Sequence, residues 1–557
     1  MGGQIRSSWN DLLCRAAADG APWLIVPKSP STSTEHRGVS FAELRDGTAR
    51  VIGHLQQIGV TTDQRVVIIA DNSAESCILL LGVLLSGAVV VPIAPPSVWS
   101  SIDRWAEDLW RISKECEPSV LLVSHRSVLR DRLLPRALRI FEFQDILRAR
   151  AMHREPAISL AQTAVIQYTS GTIAHSRGVR LTHGNLLHSV EEIGRAFDAS
   201  HNDVGVSWLP QFHDMGLIGA LFFTFFWRMP LVLLTPQMFS LRPDAWLWAI
   251  SRFGGTCSAA PNSAYQVCAN RIPERRLRGL NLSPWRISFN GAELIHPETI
   301  ERFTTRFRPY GYRSEAMFPV YGLAENTVAV TLPEYRQLPR VDVIARDALE
   351  YDGRACPTHP KSIGARVFVS VGRPLVGHEL RIVEPSSFDI LPERTVGEVQ
   401  VRGPCRMLGY LGSDANSSIT PDGWLSTGDR GYTMGEELVV IGRYKHIIKR
   451  YGRTLDCAVL ENVLRPLPGI RGGVVAIFGV PDVIRGTEKL VVVAETSKRS
   501  EHERRTLLEV IHAELRARLM LVPDRVELVA PGTILRTSSG KVRHAATLML
   551  LQEQDQG

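Results

Sequence analysis

Lysine is scarce in this chain. Of 64 basic residues only eight are lysine, and the arginines are scattered over 557 positions without a dense block. That scatter argues against a dedicated nucleic-acid stripe, while a net charge of +7 suits anionic partners such as nucleotides, carboxylates or an acidic protein. The eight cysteines (Cys14, Cys77, Cys116, Cys257, Cys268, Cys356, Cys405 and Cys457) never form a CxxC pair. A redox dithiol or metal knuckle of that type is therefore excluded, and free thiols in a reducing, cytoplasmic compartment are expected. No GxxxxGK loop occurs, which excludes a Walker-type phosphate site. The start, MGGQIRSSWN, has no apolar core behind a basic segment, and Arg6 stands where a myristoylation signal needs Ser or Thr. Neither a secretory leader nor that lipid is expected. There is no internal repeat and no low-complexity tract.

Two apolar stretches invite a membrane reading. Residues 77–96 carry Gly82, Gly87, Pro92, Pro95 and Pro96, which predicts a buried helix, a glycine turn and a buried strand. Residues 217–236 contain Arg228 and Pro230 and read as a core helix and strand. No membrane span is expected.

At 557 residues the chain exceeds one ordinary core, so at least two domains are expected. Runs such as RVVIIADN (65–72), AVVVPIAPP (88–96) and SVLLVSH (119–125) alternate with helical patterns. Apolar on both faces, they predict buried parallel strands between helices. From 330 to about 370 the pattern loosens around Pro333, Pro339, Pro357 and Pro360, which suggests a loop-rich insertion. Strand-and-turn patterns follow at 378–385, 397–404 and 437–443. The predicted fold class is α/β. A large N-terminal domain (1–442) holds parallel-sheet layers and a small β-rich section. A hinge at 443–445 leads to a small mobile C-terminal α/β lobe (446–557).

Seven motifs carry chemistry. QYTSGTIAHSRGV (167–179) places Thr169, Ser170, Gly171 and Thr172 in one loop, whose hydroxyls and amides suit phosphate oxygens; a plain polar turn is the alternative. SWLPQFHDMGLIG (207–219) sets a His-Asp pair among apolar residues. It also reads as a helix start capped by Asp214 beside a satisfied buried His213. FNGAE (289–293) and YGLAENT (321–327) each look like a strand end followed by a helix. Tyr321 suits stacking on a purine, and Glu325 suits Mg²⁺, which prefers carboxylate and phosphate oxygens. In WLSTGDRG (424–431), Asp429 after a glycine turn suits ribose hydroxyls, or is an ordinary turn aspartate. GRYKHIIKRYG (442–452) and LRTSSGKVRH (535–544) hold three of the eight lysines, Lys445, Lys449 and Lys541. Both also read as surface loops.

In this order and spacing, TSG, HDMG, NGAE, YGLAE, TGD, GRxK and SSGK resemble the adenylate-forming superfamily over nearly the whole chain. The stretches 208–222, 289–303, 318–330 and 369–377 look like its fatty acyl-AMP ligase branch, as do RDALEYDGRACP (346–357) and the 46 residues between Glu325 and Gly372. The resemblance implies activation of a fatty acid with ATP and Mg²⁺ to an acyl-adenylate. The acyl group then passes to the phosphopantetheine thiol of an acyl carrier protein. A coenzyme A ligase and a non-catalytic nucleotide or partner binder are the alternatives. By motif, Thr169, Ser170, Gly171 and Thr172 would lie along the phosphates. Tyr321 and Gly322 would meet adenine, with Gly291 and Ala292 as its wall. Asp429 and Arg443 would hold the ribose, Glu325 the Mg²⁺, and His213 would sit near the acyl carboxylate. Lys445 would be the hinge and Lys541 the mobile catalytic lysine. The insertion would restrain domain movement and disfavour free coenzyme A. The sequence departs from the family at Ile173, Ala174, Ser176 and Arg177 in the phosphate loop, and at Lys449, Thr454 and Cys457 after the hinge. A carboxylate attacking phosphorus needs cationic groups to offset the repulsion, as Lys541 and Mg²⁺ would.

Overall fold

The computed structural model describes residues 9–18, 22–96, 102–126, 129, 138–152, 156–169, 177–412, 418–482, 485, 487–536, 542–544 and 546–550. Two seven-stranded sheets dominate it. The β-branched runs read from the sequence form strands 65–69, 89–93 and 120–123, parallel neighbours with nearly every residue buried. They share a sheet with 139–142 on one side and with 163–168, 178–182 and 409–410 on the other. The second sheet runs 317–319, 287–291, 257–261, 205–207, 231–233, 22–27, all parallel, and ends on antiparallel 36–40.

The stretch 77–96 resolves as expected from its glycines. All of helix Ala74–Leu85 except Glu75 is buried, Gly87 turns at φ 77°, and strand 89–93 follows. Ser73 caps this helix by accepting from the Ser76 amide. Its contact with helix Phe41–Gln57 relies on two glycines. A Cβ on Gly82 would lie 2.6 Å from Val51 Cβ, and one on Gly47 would lie 2.7 Å from Ile78 Cγ2. One apolar cluster joins residues of both sheets, among them Val66, Val90, Leu231 and Phe318. Among the described residues, no helix is long and apolar enough to cross a membrane.

A four-stranded antiparallel sheet (379–383, 397–402, 425–434, 437–443) follows. The segment before it is more ordered than a loop-rich insertion. Strands 341–345 and 365–369 pair antiparallel around helix Arg346–Asp352, because Val341, Val343, Val367 and Val369 supply β-branched positions between the prolines. Beyond 446, a hairpin (447–450, 453–456) turns on Tyr451 and Gly452, both at positive φ. Strands 475–482, 487–495 and 525–529 then form a sheet with helices Cys457–Leu464 and Glu501–Leu519. Its alternating side chains feed two apolar clusters, one around Ile477 and Val492, the other around Phe478 and Val493.

The insertion meets this last segment in an ion pair, beside a contact from Arg346 Nη2 to Met520 Sδ at 3.6 Å. Arg453 donates from Nε to Glu350 Oε2 at 2.8 Å, and both side chains are mostly buried. Removing one partner strands the other charge. Glu350→Ala is expected to cost about 3 kcal/mol, seen as a lowered melting temperature. Replacing Arg453 as well should recover part of that loss; strictly additive effects in the double-mutant cycle would refute the coupling.

Candidate functional site

The parallel strands 205–207, 257–261, 287–291 and 317–319 all point their carboxyl ends at one place. In open α/β sheets that edge is where ligands bind. Here it opens into a cavity of about 1040 Å³, walled also by the four-stranded sheet and by the segment beyond 446. Of the fourteen residues singled out by motif, Thr169, His213, Gly291, Ala292 and Tyr321 line this cavity, as do Gly322, Glu325, Asp429, Arg443 and Lys445. Ser170, Gly171, Thr172 and Lys541 lie outside the described residues. The necks of both their loops are described. The Thr169 amide donates to the Arg177 carbonyl at 3.1 Å, and Arg536 bridges to Val542. Arg177, Arg536 and Val542 themselves line the cavity.

Asp429 does not sit in a turn. Gly428, at φ 72°, makes a bulge inside strand 425–434, where the pairing with 397–402 shifts register. Such bulges re-aim side chains. Thr427 Oγ1 donates to the Val399 carbonyl and accepts from the Asp429 amide, and the Gly428 amide donates to Glu398. The Asp429 carboxylate, 4% exposed, accepts from the Tyr321 hydroxyl at 2.6 Å on one oxygen and pairs with Arg443 Nε at 2.6 Å on the other. Burial, then the Asp429 charge, holds the Tyr321 hydroxyl far above its ordinary pKa, so it stays a donor.

YGLAENT is not a strand end leading into a helix. Only one 3-10 turn, Ala324–Asn326, forms before Thr327 and Val328 adopt φ 51° and 77°. Positive φ is costly for β-branched residues, and the loop is held by bonds on every side. Ser189 Oγ donates to the Thr327 carbonyl, Thr327 Oγ1 donates to the Cys405 carbonyl, and the Met407 amide donates to the Glu325 carbonyl. A Cβ on Gly322 would lie 1.7 Å from the Val328 carbonyl oxygen, so glycine is required. Glu325 is partly exposed, and its Oε1 accepts from the Tyr410 hydroxyl at 2.9 Å. Tyr410 in turn accepts from Arg177, whose guanidinium lies 3.7 Å over the Tyr410 ring.

His213, not Asp214, occupies the helix cap. The Met215 amide donates to Asp214 Oδ1 at 2.7 Å and weakly to His213 Nδ1 at 3.4 Å, while His213 remains partly exposed to the cavity. Gly216 permits the tight entry, since a Cβ there would lie 2.0 Å from the Pro210 carbonyl. After Gly219 the wall is apolar, with Ile193, Phe289, Val328, Leu332 and Val371. Gly219 itself lies in a π-helical turn, Leu217–Phe222. The cavity therefore has a polar end with carboxylates and arginines and an apolar branch.

Motif reading missed Tyr410, Arg465, His446, His544 and Asp456, which also line the cavity. Lys445 is flanked by cations, and partial burial followed by Arg177 and Arg443 pushes its ammonium pKa down. The His446 and His544 rings lie tilted to each other with centroids 4.5 Å apart, and burial first, then His544, lowers the His446 pKa to about 3, leaving it neutral. His544 reaches Glu461 at 2.6 Å. Asp456 caps helix Cys457–Leu464 through Oδ1. Its Oδ2 has no hydrogen-bond partner among the described residues and packs where a Gly442 Cβ would stand, with Arg430 3.9 Å away.

Burial raises the Asp456 pKa from its ordinary 3.8 to about 7. Between those values the folded chain holds a proton that the unfolded chain has lost, so this group's contribution to stability falls as pH rises. Asn caps equally well and carries no charge. Asp456→Asn is expected to raise the melting temperature, by an amount that grows from about pH 4 to about pH 7 and then levels off. A pH-independent change would contradict it.

With this geometry in place, comparison with known proteins is direct. Residues 20–411 match the family model described as AMP-binding enzyme. The medium-chain-fatty-acid–[acyl-carrier-protein] ligase JamA of Moorena producens is 32% identical, over 92% of this chain and 89% of its own. The long-chain-fatty-acid–AMP ligase FadD32 of Mycobacterium marinum is 30% identical, with 92% and 89% covered. A solved chain from studies of fatty acyl-adenylate ligases of E. coli and L. pneumophila superposes with a TM-score of 0.89 at 28% identity, covering 100% of both. The motif resemblance and the α/β architecture are both met by these relatives, and the chain belongs to the AMP-binding enzyme family, the adenylate-forming ligases.

Proposed function

We propose that this chain is a fatty acyl-AMP ligase that loads an acyl carrier protein. The observation that carries the reading is the Tyr321–Asp429–Arg443 cluster at the polar end of a cavity whose other branch is apolar. Each Asp429 oxygen accepts one bond and keeps lone-pair capacity, so ribose hydroxyls are accommodated without displacing Tyr321 or Arg443. Tyr321 offers its ring to adenine beside Gly322, with Gly291 and Ala292 as the wall. Thr169, Ser170, Gly171 and Thr172 run along the phosphates. Glu325 faces the cavity with a hard oxygen donor, which fits Mg²⁺; the ion, when bound, offsets charge on the phosphate oxygens. His213 lies near the carboxylate of the acid, whose tail takes the apolar branch.

The chain's own groups then do three things. Tyr321, Asp429 and Arg443 fix the nucleotide, which removes entropy from the in-line attack. Arg177 and Lys541 stabilise negative charge as it moves to pyrophosphate. A turn of the segment 446–557 about Lys445, within boundaries 1–442 and 443–445, withdraws Lys541 and admits the phosphopantetheine thiol. The Glu350–Arg453 pair is the insertion's hold on that movement. The carrier-protein reading draws on the printed activity of the JamA relative. The cytoplasm is the proposed location, in keeping with eight free cysteines.

Three experiments test this. Incubated with ATP, Mg²⁺ and fatty acids, the protein should yield acyl-AMP by mass. The thioester should then appear on a pantetheinylated carrier and not on free coenzyme A; comparable rates on both would reject the branch. Lys541→Ala should fold normally and lose at least about a hundredfold in adenylation, the scale of removing one charge-stabilising donor. An unchanged rate removes that lysine from its role. Separately, Gly219→Leu fills the apolar branch opposite Val328. It should lower kcat/KM for the longest accepted acids by about tenfold or more while sparing short ones. A uniform loss across chain lengths would place the tail elsewhere.

A further inference from the structure

Outside the nucleotide cavity, His188, His378 and Cys405 bring their ligand atoms within 4.8 Å of one another. None of the three lines that cavity. Two of them meet because of strand register. Glu379 pairs with Arg402 at one end of the ladder between 379–383 and 397–402, so His378 just before it and Cys405 just after it share that end. Helix His183–Arg195 supplies His188 from the large sheet layer. The three residues therefore join the four-stranded sheet to the main core.

The local geometry is that of metal ligands with their supports in place. His378 Nδ1 and His188 Nε2 both lie 3.4 Å from the Val376 carbonyl, a weak contact that turns both rings toward it. Ligating histidines commonly direct their other nitrogen to such a carbonyl. That arrangement leaves His378 Nε2 buried with no hydrogen-bond partner among the described residues. His378 is only 9% exposed, so an unpaired ring nitrogen there is costly without a ligand. Gly403 makes room for the ring, since a Cβ would lie 2.5 Å from His378 Cδ2. His188 is partly exposed and gives an entry path.

We propose that His188, His378 and Cys405 form a binding site for a borderline-soft divalent cation, Zn²⁺ in the first instance. Two imidazoles and a thiolate match its ligand preference, and water completes a tetrahedral set. On binding, the Cys405 thiol releases its proton to solvent as the sulfur–metal bond forms. The ion has a structural consequence for the neighbouring loop. The Cys405 carbonyl holds Thr327, two residues from Glu325, and the Pro404 carbonyl holds Asn185. Fixing Cys405 thus fixes the loop that presents Glu325 to the nucleotide cavity.

The test uses the tag-free, full-length protein stripped with a chelator, without nucleotide or acid, so its result is independent of the proposed ligase activity. Titration with Co²⁺ should give a thiolate-to-cobalt charge-transfer band at one equivalent per chain, displaced by Zn²⁺, and Zn²⁺ should raise the melting temperature. Cys405→Ser should abolish the band, and His188→Gln should weaken binding at least tenfold while the fold, checked by circular dichroism, is kept. Cys14→Ser and Cys356→Ser, which remove the exposed thiols, should leave the band unchanged. Persistence of the band in Cys405→Ser, its loss in either surface variant, or no cobalt uptake by the folded wild type would overturn the site.

Discussion

One buried carboxylate organises the nucleotide end of this molecule. Asp429 is almost without solvent, and one of its oxygens accepts from the Tyr321 hydroxyl while the other pairs with the Arg443 guanidinium. A buried charge without such partners is strongly unfavourable, so the three side chains stand or fall together. They also come from three places: the end of the parallel core sheet, a bulged strand, and the last residue of strand 437–443. The same charge therefore fixes the floor of the cavity and the point where the chain leaves for the segment beyond 446.

Tight backbone approach shapes the rest of the cavity. Gly322 meets the Val328 carbonyl and Gly216 meets the Pro210 carbonyl at distances that admit no side chain. Backbone cannot step aside as the end of a flexible side chain can. Both loops are thereby pressed flat against their own chain, which leaves Glu325 and His213 as the groups projecting inward. Thr327 and Val328 are strained at positive φ, and the bonds from Ser189 and to Cys405 retain them.

Much of this was legible in the sequence, for physical reasons that can be named. Strands 65–69, 89–93 and 120–123 are buried on both faces, so their composition alone marks them. The ten described motif residues reach one cavity because strands 163–168, 287–291, 317–319 and 437–443 end beside it, while Asp429 is aimed into it from a bulge inside its own strand and His213 from a helix cap. What escaped depends on distant partners. Arg177 and Tyr410 stack across 233 positions, and no local pattern around either announces it. The TGD motif has the composition of a turn, yet strand pairing on both sides turned its glycine into a bulge. The insertion looked like loop because prolines flank its strands, while the alternating valines that pair 341–345 with 365–369 are short and separated by a helix.

Two of the contacts between the segment beyond 446 and the rest pull in opposite senses. The Glu350–Arg453 pair is mostly buried and favours the arrangement described here. Asp456, wedged against Gly442 with one oxygen unpaired, is better solvated in any arrangement that separates them. Lys445 lies between these contacts in sequence and carries a charge crowded by Arg177 and Arg443. If the segment turns about Lys445 as proposed, these two terms enter the difference between the arrangements with opposite sign. A ligand shifts the choice between two such states only by its difference in affinity for them. A two-step reaction on one cavity requires that neither arrangement be strongly preferred. A strongly preferred arrangement would complete one step and stall at the other.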